Sequence, residues 1–121
     1  MNKKKQFEVF NKSCKKYIEK YGLLLEWNID IALEDLGDGE EGTFARCVPE
    51  HRGRAARISL NSEYVTQKYQ ETEESIDDIA RHEVCHLLIS DVVCLSNDRY
   101  LTPEEVIKEA EKLTTKLTKL L

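Results

Sequence analysis

Apolar positions recur every three or four residues at the start of the chain and then at every second residue. The first spacing places one apolar stripe on a helix, and its members are Phe7, Phe10, Cys14, Tyr17 and Tyr21. Gly22 follows this stripe and is well placed to end the helix. From residue 25 to residue 34 apolar and polar positions alternate, which predicts a strand buried on one face, with Trp27 in the core.

Two shorter strands are predicted next. Residues 44–48 alternate and stop at Pro49, and a third strand is marked by Ala56, Ile58 and Leu60. The residues between them, 51–54, predict a hairpin connection. Because such a short connection cannot hold a crossover helix, the two strands should be antiparallel neighbours.

The rest of the chain has helical patterns. Residues 64–69 predict a short helix or turn, and residues 73–93 predict a long helix that is apolar on most sides and therefore buried. Thr102, Pro103 and Glu105 give the capping pattern of a helix start. The buried stripe predicted for this last helix comprises Val106, Ala110, Leu113 and Leu117.

These elements together predict an α+β fold. Its parts are an N-terminal helix, a small and mostly antiparallel three-stranded sheet, a central helix and a C-terminal helix. The chain has 121 residues, of which 40% are apolar, a size and composition that fit a single domain spanning residues 1–121.

Charge and cysteine spacing narrow the class of protein. The formal net charge of −5 argues against a nucleic-acid partner, and we interpret the lysines of the first twenty residues as a solvated helix face. With neither a signal peptide nor a run of ~20 apolar residues, we expect a cytoplasmic protein without membrane association. The cysteines are widely spaced and are expected to be reduced; they are Cys14, Cys47, Cys85 and Cys94.

The candidate chemistry lies in the run His82-Glu83-Val84-Cys85-His86. Two histidines four residues apart project from one side of a helix and can bind one metal ion, for which zinc is the natural choice. Three polar residues are costly in so apolar a helix, which favours a shared partner. Glu83 is one step round the helix, where it can act as general base on a water molecule. We therefore expect one Zn²⁺ per chain.

A catalytic zinc normally has three protein ligands, and the spacing leaves the third open. The metzincin extension is excluded because Ile89 and Val92 occupy its glycine and histidine positions. We interpret His51 as a surface residue of the hairpin. The better candidates are carboxylates of the last helix, Glu109 and Glu111, between which periodicity does not choose. Glu105 serves the helix N-terminus, and Cys94, eight residues after His86, is a weaker candidate.

The run from residue 81 to residue 89, together with Trp27 on an early strand and residues 58–61 on a later one, resembles the minimal gluzincins. These are phage and prophage metallopeptidases, distantly related to SprT-like zinc proteases. The resemblance implies a zinc-dependent peptidase that acts on a peptide or protein substrate. It also implies that the closing helix supplies an acidic ligand, which the similarity of residues 109–117 assigns to Glu111, with Glu109 as the alternative. A non-catalytic zinc-binding regulatory or adaptor domain is the other hypothesis, since 121 residues leave little material for a substrate cleft.

Overall fold

The computed structural model describes residues 2–37, 44–63, 72–96 and 102–120. The predicted α+β class is confirmed, and the predicted short helix or turn at residues 64–69 lies outside the described residues. In chain order the elements are helix α1 (Lys3–Lys20), a 3-10 turn (Leu23–Leu25), strands β1 (Asn28–Glu34), β2 (Ala45–Glu50) and β3 (Ala55–Asn61), the central helix α2 (Glu73–Ser96) and the C-terminal helix α3 (Pro103–Leu120).

Helix α1 has a defined cap at each end. The Asn2 side chain accepts a hydrogen bond from the Lys5 backbone N–H at 2.8 Å, which satisfies one of the free donors of the first turn. At the other end Gly22 has a φ of 68°, a left-handed conformation that costs glycine little. The helix therefore ends where the sequence predicts.

The three strands form one mixed sheet in the order β1–β3–β2. Strands β2 and β3 are antiparallel, with Cys47 opposite Ile58, as predicted from their short connection. Strand β1 pairs with β3 in parallel, with Asn28 opposite Ala55. Among the described residues β2 is therefore an edge strand, a position that tolerates Pro49, which donates no ladder hydrogen bond.

The edges of the sheet depart from the predicted alternation. Leu25 was expected on the buried face of the first strand but belongs to the 3-10 turn and is 94% exposed. Trp27 is buried as predicted, although it precedes β1. In β2 the half-buried positions include Ala45 and Cys47, whereas Val48 points outward.

The core lies between the sheet and the packed pair α1 and α2, and its fully buried large side chains include Phe10, Leu23, Ile58, Leu60, Ile76 and Leu87. Helix α2 is less enclosed than predicted. It buries one side, but a stripe comprising His82, His86, Ile89 and Val93 is exposed. This stripe exists because, within the described residues, neither the sheet nor another helix covers that side of α2.

Helix α3 begins with the predicted capping box, in which the Glu105 backbone N–H donates to the Thr102 hydroxyl at 3.2 Å. The predicted buried stripe is largely wrong, since of its four members only Leu113 packs against the core. Val106, Ala110 and Leu117 are exposed, because α3 contacts the rest of the chain over a small area. No helix among the described residues is long and apolar enough to cross a membrane.

Asp77 joins α2 to α1. Its carboxylate accepts hydrogen bonds from Lys16 Nζ at 2.8 Å and from the Tyr17 hydroxyl at 2.5 Å. Burial alone would raise the pKa of Asp77, but these hydrogen bonds and one from Ser13 outweigh it and lower the pKa to about 2. A pKa lowered by folding means that the charged carboxylate stabilises the native state.

We predict that Asp77→Asn lowers the free energy of unfolding by about 1–2 kcal/mol at neutral pH, because hydrogen bonds to a charged acceptor are lost. The difference from the parent should be fully present above the ordinary pKa of 3.8 and should disappear as the pH falls through about 2. Chemical denaturation across this range measures it, with the exposed Asp78→Asn as control. An equal loss at both pH extremes would contradict the assignment.

Candidate metal centre

The two histidines of the motif meet on the exposed side of α2. His82 and His86 lie one helical turn apart, and their Nε2 atoms are 3.0 Å from each other. Two nitrogens bound to one tetrahedral zinc ion at ~2.0–2.1 Å are ~3.3 Å apart, a separation that a small ring rotation provides. The two imidazoles therefore fit a shared metal ion.

Glu83 completes the group. Ligand-capable atoms of His82, Glu83 and His86 all lie within 4.8 Å of one another, and among the described residues this is the group of three or more such side chains that could hold an ion. The Glu83 side chain lies on the buried flank of α2. The structure thus brings together all three residues that the motif predicts.

Burial distinguishes the glutamate from the histidines. Both histidines are exposed, so the predicted cost of burying polar groups in this helix applies only to Glu83, which is 8% exposed. Burial raises the pKa of Glu83 above its ordinary value, and the nearby His86 and His82 offset part of this rise. A buried carboxylate with a raised pKa accepts a proton more readily than a solvated one.

A cleft of about 520 Å³ opens beside this group, between strand β2 and helix α2. Glu83 and His86 line it from the helix, and Cys47 and Pro49 line it from the strand. Its volume is within the ~300–1,000 Å³ of small-molecule sites. The expectation that a chain of this length has little room for a cleft is therefore not met.

The cleft also includes a residue that is predicted to lie on the surface of the hairpin. His51 lines it together with Ser90 and Val93, and its side chain is only 29% exposed. The one signal in the sequence was its position directly after the second predicted strand. No local pattern, however, indicates that this strand lies against α2.

The two cysteines that line the cleft, Cys47 and Cys94, do not belong to the histidine group among the described residues. Burial, with a smaller contribution from the charge of Glu83, raises the pKa of Cys47 to about 12, so this thiol keeps its proton at neutral pH. Cys94 lines the cleft and is exposed, whereas Cys14 is fully buried; neither joins the histidine group among the described residues. All four cysteines are free.

The carboxylates of α3 lie apart from this group. Glu111 is exposed. Glu109 is half-buried, and its Oε1 atom lies 3.4 Å from Lys112 Nζ. Neither Glu109 nor Glu111 belongs to the group of His82, Glu83 and His86, which among the described residues is the group that could hold an ion.

Compared with protein-family models, with curated proteins and with solved structures, the chain matches none of them. The candidate centre is thus supported by side-chain geometry, a helix-borne pair of histidines with an adjacent buried glutamate.

We predict that the purified protein binds one equivalent of zinc and that His82→Ala and His86→Ala each reduce the bound zinc to well below one equivalent, because half of the imidazole pair is lost. Elemental analysis after dialysis against a weak chelator measures this. His51→Ala is the matched control, since it also removes one histidine but should keep the metal. Full zinc occupancy in His82→Ala or His86→Ala would contradict the assignment.

Proposed function

We propose that the chain is a zinc-dependent metallopeptidase of the gluzincin type, in which His82 and His86 hold the metal and Glu83 is the general base. The observation that carries the proposal is the close approach of the two Nε2 atoms, 3.0 Å, with a buried carboxylate beside them at the edge of a cleft. Zinc in such a site supplies Lewis acidity, which polarises a carbonyl group and favours loss of a proton from water near neutral pH.

The burial of Glu83 supports its proposed role as general base. A general base works best when its pKa lies close to the working pH, and burial moves the pKa of this carboxyl upward. The carboxylate takes the proton of the water whose oxygen forms a bond to the carbonyl carbon. When the C–N bond breaks, the same proton passes from Glu83 to the departing nitrogen, so the carboxylate is restored.

The position of strand β2 supports a peptide as substrate. Within the described residues β2 pairs on one side only, with β3, and its other side faces the cleft through Ala45, Arg46 and Cys47. An edge strand presents unpaired backbone N–H and C=O groups. An extended peptide can add to such an edge and place a backbone carbonyl beside the metal group.

For the third metal ligand we propose Glu111, with Glu109 as the alternative; the support is the resemblance of the closing helix to that of the minimal gluzincins. We predict that Glu111→Gln weakens zinc affinity in a competition titration with a chromogenic chelator, because a charged oxygen ligand is lost. Glu109→Gln is the matched control and should bind as the parent does. Unchanged affinity in both variants would exclude Glu109 and Glu111 as metal ligands.

A second candidate function follows from the geometry of Glu83. Because its carboxylate lies within 4.8 Å of both histidine ligand atoms, it could itself bind the metal. The chain would then be a non-catalytic zinc-binding regulatory or adaptor domain, with no base left to activate water. The fate of the metal on substitution of Glu83 separates the two functions.

We predict that Glu83→Gln retains one zinc and loses about 10²- to 10⁴-fold in peptide hydrolysis, the usual contribution of a general base. Cleavage of a fluorogenic peptide library, combined with elemental analysis of the same samples, measures both quantities. Glu74→Gln, at an exposed position of the same helix, is the control. Loss of zinc in Glu83→Gln would favour the adaptor function, and undiminished hydrolysis would exclude Glu83 as the base.

A further inference from the structure

His51 occupies a fixed position in the wall of the cleft. Its ring packs edge-on against Trp27, with centroids 5.4 Å apart and an interplanar angle of 76°. Its Nε2 atom is buried and has no hydrogen-bond partner among the described residues. Asp91 Oδ1 lies 3.6 Å from this Nε2, a distance that a small movement of either side chain converts into a hydrogen bond.

Asp91 is itself held in place by Arg54. Arg54 Nη1 and Nη2 donate to the two carboxylate oxygens at 2.7 and 3.3 Å, a paired geometry that fixes the plane of the carboxylate. The same guanidinium lies 3.9 Å from the centre of the Trp27 ring and donates to the Glu26 carbonyl at 3.2 Å. Asp91 therefore has one defined orientation, with Oδ1 toward His51.

This arrangement leaves Nδ1 as the polar ring atom of His51 that does not face Asp91. A carboxylate facing Nε2 favours the tautomer that carries its proton there, as in other His–Asp pairs. Nδ1 of the neutral ring is then a hydrogen-bond acceptor. Since His51 lines the cleft together with Glu83 and His86, an acceptor at this point is placed to meet a substrate near the metal group.

We propose that His51 Nδ1 accepts a hydrogen bond from a backbone N–H of the bound peptide, and that Asp91 is the positioning residue that holds the ring in this orientation. The inference depends on the proposed function for its ligand class, an extended peptide. It concerns binding, however, and can be tested without any bond being cleaved.

The test uses the full chain loaded with zinc and carrying Glu83→Gln, so that peptides bind without turnover; if that variant loses its metal, the zinc-loaded parent takes its place. The probe is a blocked hexapeptide selected for binding from a random library. In a matching series each backbone N–H in turn is replaced by an ester oxygen. Isothermal titration gives Kd for every pair of protein and peptide.

We predict that one ester replacement weakens binding about three- to tenfold, as expected for one lost neutral hydrogen bond, and that His51→Ala weakens the all-amide peptide by a similar factor. In His51→Ala the same ester replacement should not raise Kd any further. His51→Asn, whose side-chain oxygen can occupy the place of Nδ1, should bind within about twofold of the parent. Asp91→Asn should weaken binding, and the exposed Arg52→Ala should not.

The inference is overturned if His51→Ala binds the all-amide peptide as the parent does, if the ester series costs the same in both proteins, if His51→Ala loses zinc, or if no library peptide binds. These outcomes are distinguishable from failure of the proposed function. A parent protein that binds peptides through His51 but cleaves none would contradict the peptidase and support the contact.

Discussion

The candidate centre depends on how helix α2 is seated between the sheet and solvent. Its apolar residues, such as Ile76, Val84 and Leu87, are buried against α1 and the sheet, and this fixes the rotation of the helix about its axis. At that rotation His82 and His86 face outward, while Glu83 points toward β2. A rotation by one residue would bury both histidines in one direction and expose the glutamate in the other, so the pair of exposed imidazoles beside a buried carboxylate would be lost.

A second constraint keeps the strand side of the cleft in register with the helix. Arg54 follows the hairpin turn and reaches both Trp27 and Asp91, so it ties the end of β2 to the C-terminal half of α2. This contact involves a partly buried charge pair. Burial would raise the pKa of Asp91, but the hydrogen bonds and the charge of Arg54 outweigh it, and the pKa is lowered. Without it the turn that carries His51 would have few contacts with α2, and the width of the cleft would be less defined.

The parts of the fold that the sequence predicted are those governed by local periodicity. These parts are helices α1 and α2, the hairpin between β2 and β3 and the turn at Gly22. In each of them the spacing of apolar residues, or the turn residue that ends the element, lies within the element or directly beside it. The apolar stripe of α3 was also visible, but periodicity shows only which side of a helix is apolar. Whether Val106 and Leu117 are covered depends on the rest of the molecule, and they are exposed.

The candidate site shows the same difference between what local spacing predicts and what depends on tertiary contacts. His82, Glu83 and His86 could be predicted because they are four residues or fewer apart on one helix. The positions of His51 and Cys47 in the same cleft depend on contacts between β2 and α2, which join residues more than 30 positions apart along the chain. The proposed third ligand cannot be predicted locally either, because Glu111 belongs to a helix whose placement depends on tertiary contacts such as the ion pair between Lys116 Nζ and Glu26 Oε2, at 2.6 Å.

X-ray absorption at the zinc edge of the metal-loaded protein tests the central claim most directly. The account predicts a first shell of nitrogen and oxygen donors at ~2.0–2.1 Å, with the outer-shell scattering of two imidazole rings and no sulfur. A sulfur shell at ~2.3 Å, or fewer than two imidazoles, would contradict it.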